Sequence, residues 1–194
     1  MPMSVEFYNQ NAQQFFSSTV EVDSTSLLDQ FVPYLPQGGL VLDAGCGSGR
    51  DSKRFLDMGY QIDAFDASAP LAALAEELLN QSVTVTTFEN FTSSKRYDGI
   101  WACASLLHVT RESLPETFAH LAKMLKCGGA FYCSFKYGQD EVERDGRRFT
   151  NCNEALLNQL LTSSPLAIDK LWVTQDLRAG REHEQWLNAI LIKH

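Results

Sequence analysis

The feature that most constrains this chain is a short apolar segment that runs directly into a glycine-rich turn. Residues 39–42 read Gly-Leu-Val-Leu, and further glycines follow at positions 45, 47 and 49. An apolar run of this kind is typical of a strand that is buried on both faces. Glycine lets the backbone approach a ligand where a side chain would collide, and the amides of the following helix start point the same way. The segment therefore predicts a strand, a turn and a helix that hold a nucleotide-like molecule.

The next residues extend this turn into a βαβ unit. Residues 50–58 fit a helix that Gly59 would end, and residues 60–65 predict a second strand that leads to Asp66. Doubly wound folds place a carboxylate that binds ribose hydroxyls about 20 residues after the glycine turn. Asp66 stands at that distance from Gly45, which makes it the candidate ribose ligand.

The glycine spacing separates two classes of cofactor. Nicotinamide and flavin sites prefer G-x-G-x-x-G, because the loop must surround a pyrophosphate, whereas this chain has G-x-G-x-G. S-adenosylmethionine has no phosphate, and its ammonium group suits a carboxylate such as Asp43. The segment 43–49, Asp-Ala-Gly-Cys-Gly-Ser-Gly, closely resembles the first motif of the class I S-adenosylmethionine-dependent methyltransferases. A dinucleotide-dependent oxidoreductase remains an alternative at this point.

The resemblance covers nearly the whole chain and implies a fold as well as a site. It implies a single-domain Rossmann-like α/β fold, with a mostly parallel seven-stranded sheet, a C-terminal antiparallel hairpin and helices on both faces. An N-terminal helical cap would occupy residues 1–36, a cofactor-binding core 38–135, and a substrate flap and hairpin 136–194. The cofactor-binding residues that it implies are Tyr8, Asp43, Ala44, Gly45, Cys46, Gly47, Arg50, Asp66, Ala67, Thr87, Phe88, Ala104 and Ser105.

The resemblance also implies which part of S-adenosylmethionine these residues bind. Asp43, Gly45 and Gly47 would contact the methionine end, and Asp66 the ribose. In relatives an aromatic residue of the N-terminal helix closes over the cofactor, and Tyr8 is the matching candidate here.

The adenine contacts are less well defined by the resemblance. Many relatives have an acid near the position of Thr87, which binds the adenine amino group. Thr87 is a weaker partner, so the Phe88 amide or the Glu89 side chain is an alternative. Ala104 and Ser105 would line the near side of the cofactor.

A narrower resemblance is carried by four further segments. Residues 101–109, 135–138, 146–150 and 186–188 look like the small bacterial branch that is grouped with tellurite-resistance-type methyltransferases. This likeness implies no particular substrate.

Strand and helix patterns alternate along the chain, which is the signature of a parallel sheet. The predicted strands are 39–42, 60–65, 83–88, 97–108, 128–135, 167–174 and 184–192. The predicted helices are 4–18, 24–34, 50–58, 68–79, 111–125 and 153–161. Residues 136–150 are polar and contain two glycines, so they predict either a solvent loop or a mobile flap over the substrate.

Methyl transfer from a sulfonium needs little acid–base chemistry, because the methyl group is already activated and the enzyme chiefly orients the reactants. His108 is the candidate catalytic base, since its ordinary pKa is near neutral; the alternative is that it only orients a loop or caps a helix. Arg111, Arg147 and Arg148 could each hold an anionic acceptor or lie on the surface. Trp186 could pack against the hairpin or line the acceptor pocket.

The composition of the chain limits which partners and which cellular location we expect. The chain has 194 residues and a net charge of −8, with no long basic tract, so a nucleic-acid partner is not expected. No apolar run approaches the roughly 20 residues of a membrane span, and the N-terminus lacks the pattern of a signal peptide. The five cysteines are odd in number and form no C-x-x-C pair, which favours a reducing cytoplasm and predicts no metal site.

The predicted function is therefore methyl transfer to a small-molecule acceptor by a cytoplasmic monomer or homodimer. Two alternatives share the same cofactor motifs: a methyltransferase that acts on nucleic acid or protein, and a non-catalytic S-adenosylmethionine-binding protein. The sequence does not identify the acceptor, because its clearest motif concerns only the methyl donor.

Overall fold

The computed structural model describes residues 3–194, so Met1 and Pro2 of the predicted cap lie outside the described residues. The helices are α1 (Met3–Gln10), α2 (Ala12–Thr19), α3 (Thr25–Phe31), α4 (Arg50–Asp57), α5 (Ala69–Leu79), α6 (Leu114–Ala122) and α7 (Glu154–Leu160). The strands are β1 (Leu40–Ala44), β2 (Gln61–Asp66), β3 (Thr84–Val85), β4 (Tyr97–Ala102), β5 (Leu125–Lys136), β6 (Glu141–Arg144), β7 (Arg147–Thr150), β8 (Leu166–Gln175) and β9 (Gln185–Lys193). Short 3₁₀ turns lie at Val32–Tyr34 and Leu106–His108.

Seven strands form one sheet in the order β3-β2-β1-β4-β5-β9-β8. Strands β1 to β5 pair in parallel, β9 runs antiparallel to β5, and β8 runs antiparallel to β9. This confirms the predicted Rossmann-like fold with its C-terminal antiparallel hairpin. Strands β6 and β7 form a separate two-stranded hairpin within the polar segment 136–150, for which the sequence predicted only a loop or a flap.

The apolar core lies on both faces of this sheet, as expected of parallel strands that helices cover on both sides. On one face Trp101 stacks on Tyr132 with ring centroids 3.9 Å apart, and Phe31 of α3 packs 5.2 Å from Trp101. On the other face Phe118 of α6 lies 5.7 Å from Phe131. All five rings are fully buried.

The strand order determines where a ligand can enter. Strand β1 pairs with β2 on one side and β4 on the other, so the chain connections diverge from the carboxyl end of β1. In open α/β sheets such a switch of direction leaves a crevice at the carboxyl ends of the strands. The glycine-rich turn follows β1 directly, so it lies at this crevice.

The single N-terminal helix predicted over 4–18 is wrong, because the helix breaks at Asn11. The backbone there has φ −117° and ψ 18°, and the Asn11 side-chain amide donates to the Phe7 carbonyl at 2.8 Å. Asparagine side chains compete in this way with the backbone hydrogen bonds of a helix. The two resulting helices bring Tyr8 and Phe15 within 4.9 Å of each other.

The third and fourth strands are shorter than predicted. The strand expected over 83–88 is only Thr84–Val85, an exposed edge strand with a single neighbour. Thr87 instead accepts hydrogen bonds from the amides of Asn90 and Phe91 and so begins a turn. The strand expected over 97–108 ends at Ala102, where a turn leads into the 3₁₀ segment.

The helix predicted over 111–125 is also shorter, since it spans only Leu114–Ala122. Before it, the amide of Ser113 donates to the Thr110 carbonyl and closes a turn. After it, β5 already begins at Leu125 rather than at residue 128, and Leu125 pairs with Tyr97. The left-handed backbone of Gly128 (φ +75°) allows the irregularity that this early pairing requires.

Candidate active site

A cleft of about 630 Å³ opens at the carboxyl ends of β1, β2 and β4, and α1, α2 and the β6–β7 hairpin contribute to its walls. Most of the residues that the sequence predicts for the site line this cleft. They are Tyr8, Asp43, Gly45, Cys46, Gly47, Arg50, Asp66, Ala67, Thr87, Phe88, Ala104, Ser105 and His108. Ala44 is not among the lining residues, because its side chain is fully buried in the core.

Gly45 occupies a position that only glycine fits. Its φ is +79°, and a Cβ added there would lie 2.7 Å from the Cβ of Ser105 and 3.2 Å from the Phe88 ring. Real side chains do not approach so closely, so the turn must pass here without a Cβ. Because glycine has no Cβ, a ligand can approach the backbone closely at the floor of the cleft.

Hydrogen bonds anchor the glycine turn to the neighbouring strand. The amides of Gly45 and Cys46 both donate to the Phe65 carbonyl, at 2.9 and 3.0 Å. The Gly47 amide donates to Oδ2 of Asp66 at 2.9 Å. These three amides are therefore used to hold the turn in place.

Asp66 stays accessible to a ligand although its carboxylate is partly used. Oδ1 accepts from the Ser68 amide at 2.9 Å, and Oδ2 accepts from Gly47. Burial raises the pKa of Asp66, while these two backbone hydrogen bonds act in the opposite direction. The Ala67 amide acts on the carboxylate in the same way, and the remaining lone pair can still accept a hydrogen bond from a ribose hydroxyl.

Asp43 is a buried carboxylate close to a second one. Its Oδ2 accepts a hydrogen bond from Ser52 at 2.6 Å. Burial raises the pKa of Asp43 to about 7, and the nearby Asp51 charge contributes to this rise. A bound cation would favour the charged form, so Asp43 suits the ammonium group of an amino acid.

Arg50 neutralises Asp51, the carboxylate that lies close to Asp43. Its guanidinium donates to both oxygens of Asp51 at 2.7 and 2.8 Å, and Trp101 and Ser24 donate to the same carboxylate at 2.9 and 2.6 Å. Burial alone would raise the pKa of Asp51, but the Arg50 charge and these hydrogen bonds outweigh it and lower that pKa. Asp51 is therefore a fixed anion that positions Arg50 at the cleft wall.

The turn after β4 is held in an unusual backbone conformation. Ala104 has φ +52°, its amide donates to Ser134 Oγ at 2.8 Å, and Ser105 Oγ donates to the Ala44 carbonyl at 2.7 Å. Left-handed backbone at a residue other than glycine costs of order 1 kcal/mol or more and is concentrated at functional sites. Here it brings Ser105 against the glycine turn.

Tyr8 and His108 form a hydrogen-bonded pair in the wall of the cleft, and Phe15 lies between Tyr8 and the glycine turn. His108 Nδ1 lies 2.7 Å from the carbonyl oxygen of Arg148, which can only accept, so we assign the ring proton to Nδ1. Nε2 then accepts from the Tyr8 hydroxyl at 2.8 Å. Burial lowers the pKa of His108 to about 4, and the charges of Arg147 and Lys136 act in the same direction. His108 is thus neutral near pH 7, and Tyr8 occupies the nitrogen that a base would use.

The sequence analysis missed some of the lining residues. Phe15 lies against the glycine turn, since a Cβ on Gly47 would be 3.4 Å from its ring. Its spacing of seven residues from Tyr8, two helical turns, was an available signal. Asp176 accepts from Trp186 Nε1 at 3.1 Å and pairs with Arg178, and all three line the cleft. Asp176 and Arg178 lie in the β8–β9 connection and have no local sequence signature.

The structure separates the three arginines that the sequence left ambiguous. Arg147 lines the cleft. The side chain of Arg148 pairs with Glu143 at 3.1 Å on the β6–β7 hairpin. Arg111 contacts the Gln139 carbonyl with its guanidinium. Only Arg147 of the three is therefore placed to meet an acceptor in the cleft.

Neither a metal-binding cluster nor a membrane-spanning helix is present among residues 3–194. Within 3–194, no three His, Cys, Asp or Glu side chains come together in a way that could hold a metal ion. None of the helices in that range is long and apolar enough to cross a membrane.

Comparison with known proteins agrees with this geometry. Residues 41–129 match the model of a family described as a methyltransferase domain. The chain is 26% identical over 142 residues to YqeM of Bacillus subtilis (strain 168), whose name gives it as an inferred methyltransferase. That alignment covers 66% of this chain and 58% of the relative, so this chain spans little more than half of the relative's length.

Solved structures show the same fold over almost the whole chain. One is the Burkholderia thailandensis 1,6-didemethyltoxoflavin-N1-methyltransferase with bound 1,6-didemethyltoxoflavin and S-adenosylhomocysteine, with a TM-score of 0.77, 18% identity, and coverage of 98% of this chain and 88% of that chain. Another is the magnesium protoporphyrin IX methyltransferase of Synechocystis PCC 6803 with bound S-adenosylmethionine, with a TM-score of 0.73, 16% identity, and coverage of 98% and 95%. At these identities the likeness establishes the fold. The methyltransferase-domain match runs from β1 into the first part of β5 and so includes the glycine turn.

Proposed function

We propose that this protein transfers the methyl group of S-adenosylmethionine to a small-molecule acceptor within the cleft. The observation that carries the proposal is that one cleft has two chemically different ends. We call the glycine turn with Asp43 and Asp66 the donor end, and the Tyr8–His108 pair with the cations and aromatic rings around it the acceptor end. A donor and an acceptor can therefore be held in contact, which is the main requirement of an in-line transfer.

The residues of the first end fit the donor. Asp43 would hold the ammonium group, and Arg50 lies nearby at the cleft wall. Asp66 would accept from the ribose hydroxyls, and Gly45 leaves the space that a Cβ would fill. When bound, S-adenosylmethionine supplies a methyl group that its sulfonium already activates.

Thr87 and Phe88 would contact the adenine, with Glu89 as a neighbour on the same turn. All three line the cleft beyond β3. Phe88 packs edge-on against Phe65 at 5.4 Å, which fixes its position beside the glycine turn. Ala67, Ala104 and Ser105 complete this wall.

The proton at the other end would move through Tyr8 rather than directly to His108. When an acceptor O–H or N–H proton must leave, the Tyr8 oxygen takes it while the Tyr8 proton passes to His108 Nε2, which becomes an imidazolium. Because the pKa of His108 is lowered to about 4, this pair is a weak base. It therefore suits acceptors that lose their proton easily, and thiolates would not need it.

We infer a small acceptor from the elements that cover the cleft and from the net charge of the chain. Helices α1 and α2 and the β6–β7 hairpin line the cleft, and the chain has a net charge of −8. A nucleic-acid methyltransferase would require a broad basic face. The Burkholderia structure contains a small organic acceptor, which favours the same class here. Membership of the tellurite-resistance-type branch, a cytoplasmic location and a monomeric or dimeric state stay predictions.

Two measurements test the proposal in sequence. A thermal-shift assay with S-adenosylhomocysteine and with NAD identifies the cofactor class, and we expect stabilisation only by the former. Labelled-methyl transfer to thiols, amines, phenols and metalloid oxyanions then tests for turnover. Binding of S-adenosylhomocysteine without turnover on any acceptor, protein and nucleic acid included, would instead identify a non-catalytic binding protein.

A further inference from the structure

Arg147 is a buried cation whose charge is poorly matched by the protein. Its side chain is 17% exposed, and its guanidinium carbon lies 4.3 Å from the centroid of the Phe7 ring and 5.2 Å from that of Phe149. Within residues 3–194 its Nε is buried without a hydrogen-bond partner. Its carboxylate neighbour, Asp145, is 3.8 Å away and 64% exposed. A desolvated guanidinium with so weak a counterion is costly unless a further anion pairs with it.

Three other partly buried cations that line this cleft, Lys136, Arg178 and Arg181, have carboxylate partners at 2.5, 2.5 and 2.6 Å. Lys136 Nζ pairs with Glu184 at 2.5 Å, and both side chains are largely buried. It lies 5.0 Å from the centroid of the Phe149 ring and 6.0 Å from that of Trp186. Among these partly buried cations Arg147 has the most distant carboxylate partner, it also interacts with the Tyr8 hydroxyl, and Trp186 and the edge of the largely buried Phe149 line the same cleft.

This arrangement adjoins the groups proposed to meet the acceptor. The His108 ring lies 5.2 Å from Phe149, and Tyr8 lies 5.4 Å from Phe7. A guanidinium binds a carboxylate through two parallel hydrogen bonds, which fix its orientation as well as its position. An acceptor whose carboxylate was held by Arg147 would have its body against Phe149 and its reactive group near Tyr8.

We propose that Arg147 selects a methyl acceptor that carries a carboxylate on an aromatic or similarly flat apolar body. The proposal rests on the proposed function, since it names the acceptor class of the same cleft. Arg147 binds the carboxylate, and Phe149 and Trp186 contact the flat body. Lys136 and Arg181 share the single carboxylate of Glu184, so they add to the positive potential.

The test compares benzoate with benzamide, which have nearly the same shape and differ in charge. Both are titrated into the complex with S-adenosylhomocysteine and followed by saturation-transfer NMR. We expect benzoate to bind about 10- to 100-fold more tightly than benzamide, as hydrogen bonds to charged groups imply. Arg147→Gln should abolish this preference, and Arg147→Lys should retain part of it because the charge remains without the planar fork.

The matched control is Arg96→Gln, which removes an exposed arginine on the segment before β4. It changes the net charge equally and should leave the preference intact. The affinity of each variant for S-adenosylhomocysteine and its melting temperature are measured alongside, so a misfolded variant is recognised. If Arg147→Gln fails to fold, the proposal is tested with Arg147→Lys alone. A preference for benzoate that is unchanged in Arg147→Lys would then overturn the proposal.

The outcomes separate this inference from the proposed function. Failure of the wild-type protein to bind S-adenosylhomocysteine contradicts the proposed function itself. Binding of S-adenosylhomocysteine with equal affinities for benzoate and benzamide, or with no binding of either, overturns the Arg147 proposal alone. Binding of selenite but not benzoate also overturns it, because a small inorganic anion does not need the apolar surface. An unchanged preference in Arg147→Gln would show that another group selects the anion.

Discussion

The two ends of the cleft are built in opposite ways. The proposed donor end comes from the tips of adjacent strands, carries the buried carboxylate Asp43 and the accessible carboxylate Asp66, and is held together by backbone hydrogen bonds. The acceptor end comes from α1, the β6–β7 hairpin and the β8–β9 hairpin, and its characteristic groups are cations packed on aromatic rings. The proposed donor site is therefore built by neighbouring strands of one sheet, whereas the proposed acceptor site depends on separate segments, which can differ between proteins of the same fold.

The largest expected effect is at the glycine turn. Gly45→Ala should weaken binding of S-adenosylhomocysteine by about 100-fold or more, because its Cβ would collide with Ser105 in a left-handed backbone. Gly59→Ala is the control, since Gly59 also has a positive φ (+87°) but has no atom within 4 Å of an added Cβ. It should cost about 1 kcal/mol of stability and leave the calorimetric affinity unchanged. Equal affinity losses in both variants would mean that backbone strain, and not the close approach, limits binding.

Substitution of Asp66 should cause the next largest loss of affinity for S-adenosylhomocysteine. Asp66→Asn is expected to reduce the affinity for S-adenosylhomocysteine by about 10- to 100-fold, since one charged hydrogen-bond acceptor is lost. Asp63→Asn provides a control on the same strand, where the carboxylate pairs with Lys95 at 2.8 Å instead. An unaltered affinity in Asp66→Asn, measured by calorimetry, would remove the ribose assignment.

The donor end should also respond to pH through Asp43. Because its folded pKa is raised to about 7 from an ordinary value near 3.8, the folded protein holds an extra proton between these values. Stability of the unliganded protein should therefore fall as pH rises across this window, by up to about 1.4 kcal/mol per unit. The affinity for S-adenosylmethionine should rise over the same range, since its ammonium group requires the charged carboxylate.

Asp43→Asn separates these two effects. It should flatten the pH dependence of stability and raise the melting temperature at pH 8, where the buried charge is destabilising. It should also weaken binding of S-adenosylmethionine at that pH. A variant that is less stable than the wild type at pH 8 would contradict the raised pKa of Asp43.

The smallest effect is expected at the acceptor end. Tyr8→Phe keeps the ring against Phe15 but removes the hydroxyl that donates to His108. We expect about a 10-fold lower kcat with acceptors that must lose a proton, and little change with thiols that are already ionised. The affinity for S-adenosylhomocysteine should change by less than about twofold. A uniform loss with both acceptor types would make Tyr8 a packing residue rather than a proton carrier.

The same contrast explains what the sequence could predict. Gly45 and Asp66 belong to a local strand–turn–helix–strand pattern, in which spacing along the chain fixes proximity in space. The contact between Phe7 and Arg147 joins segments about 140 residues apart, and no local pattern encodes it. The helix break at Asn11 and the short β3 were missed for a related reason, because side-chain competition and edge position override periodicity.

His108 shows most clearly which features of the cleft the sequence alone does not predict. Its place at the end of the predicted fourth strand was evident from the pattern, but its partners come from α1 and β7. Those partners fix its tautomer and cover the nitrogen that a base would use. The sequence therefore predicted a residue that lines the cleft, while the tautomer and partners of His108 depend on the tertiary structure.

The most direct test of the account is the destination of a labelled methyl group. Purified protein is incubated with labelled S-adenosylmethionine and, in separate reactions, with thiols, amines, phenols, metalloid oxyanions, bulk protein and nucleic acid, with Gly45→Ala as the inactive control. The account predicts label in a small-molecule product, loss of that label in Gly45→Ala, and S-adenosylhomocysteine released in equal amount. Label in protein or nucleic acid alone, or no label in any acceptor although S-adenosylhomocysteine binds, would contradict it.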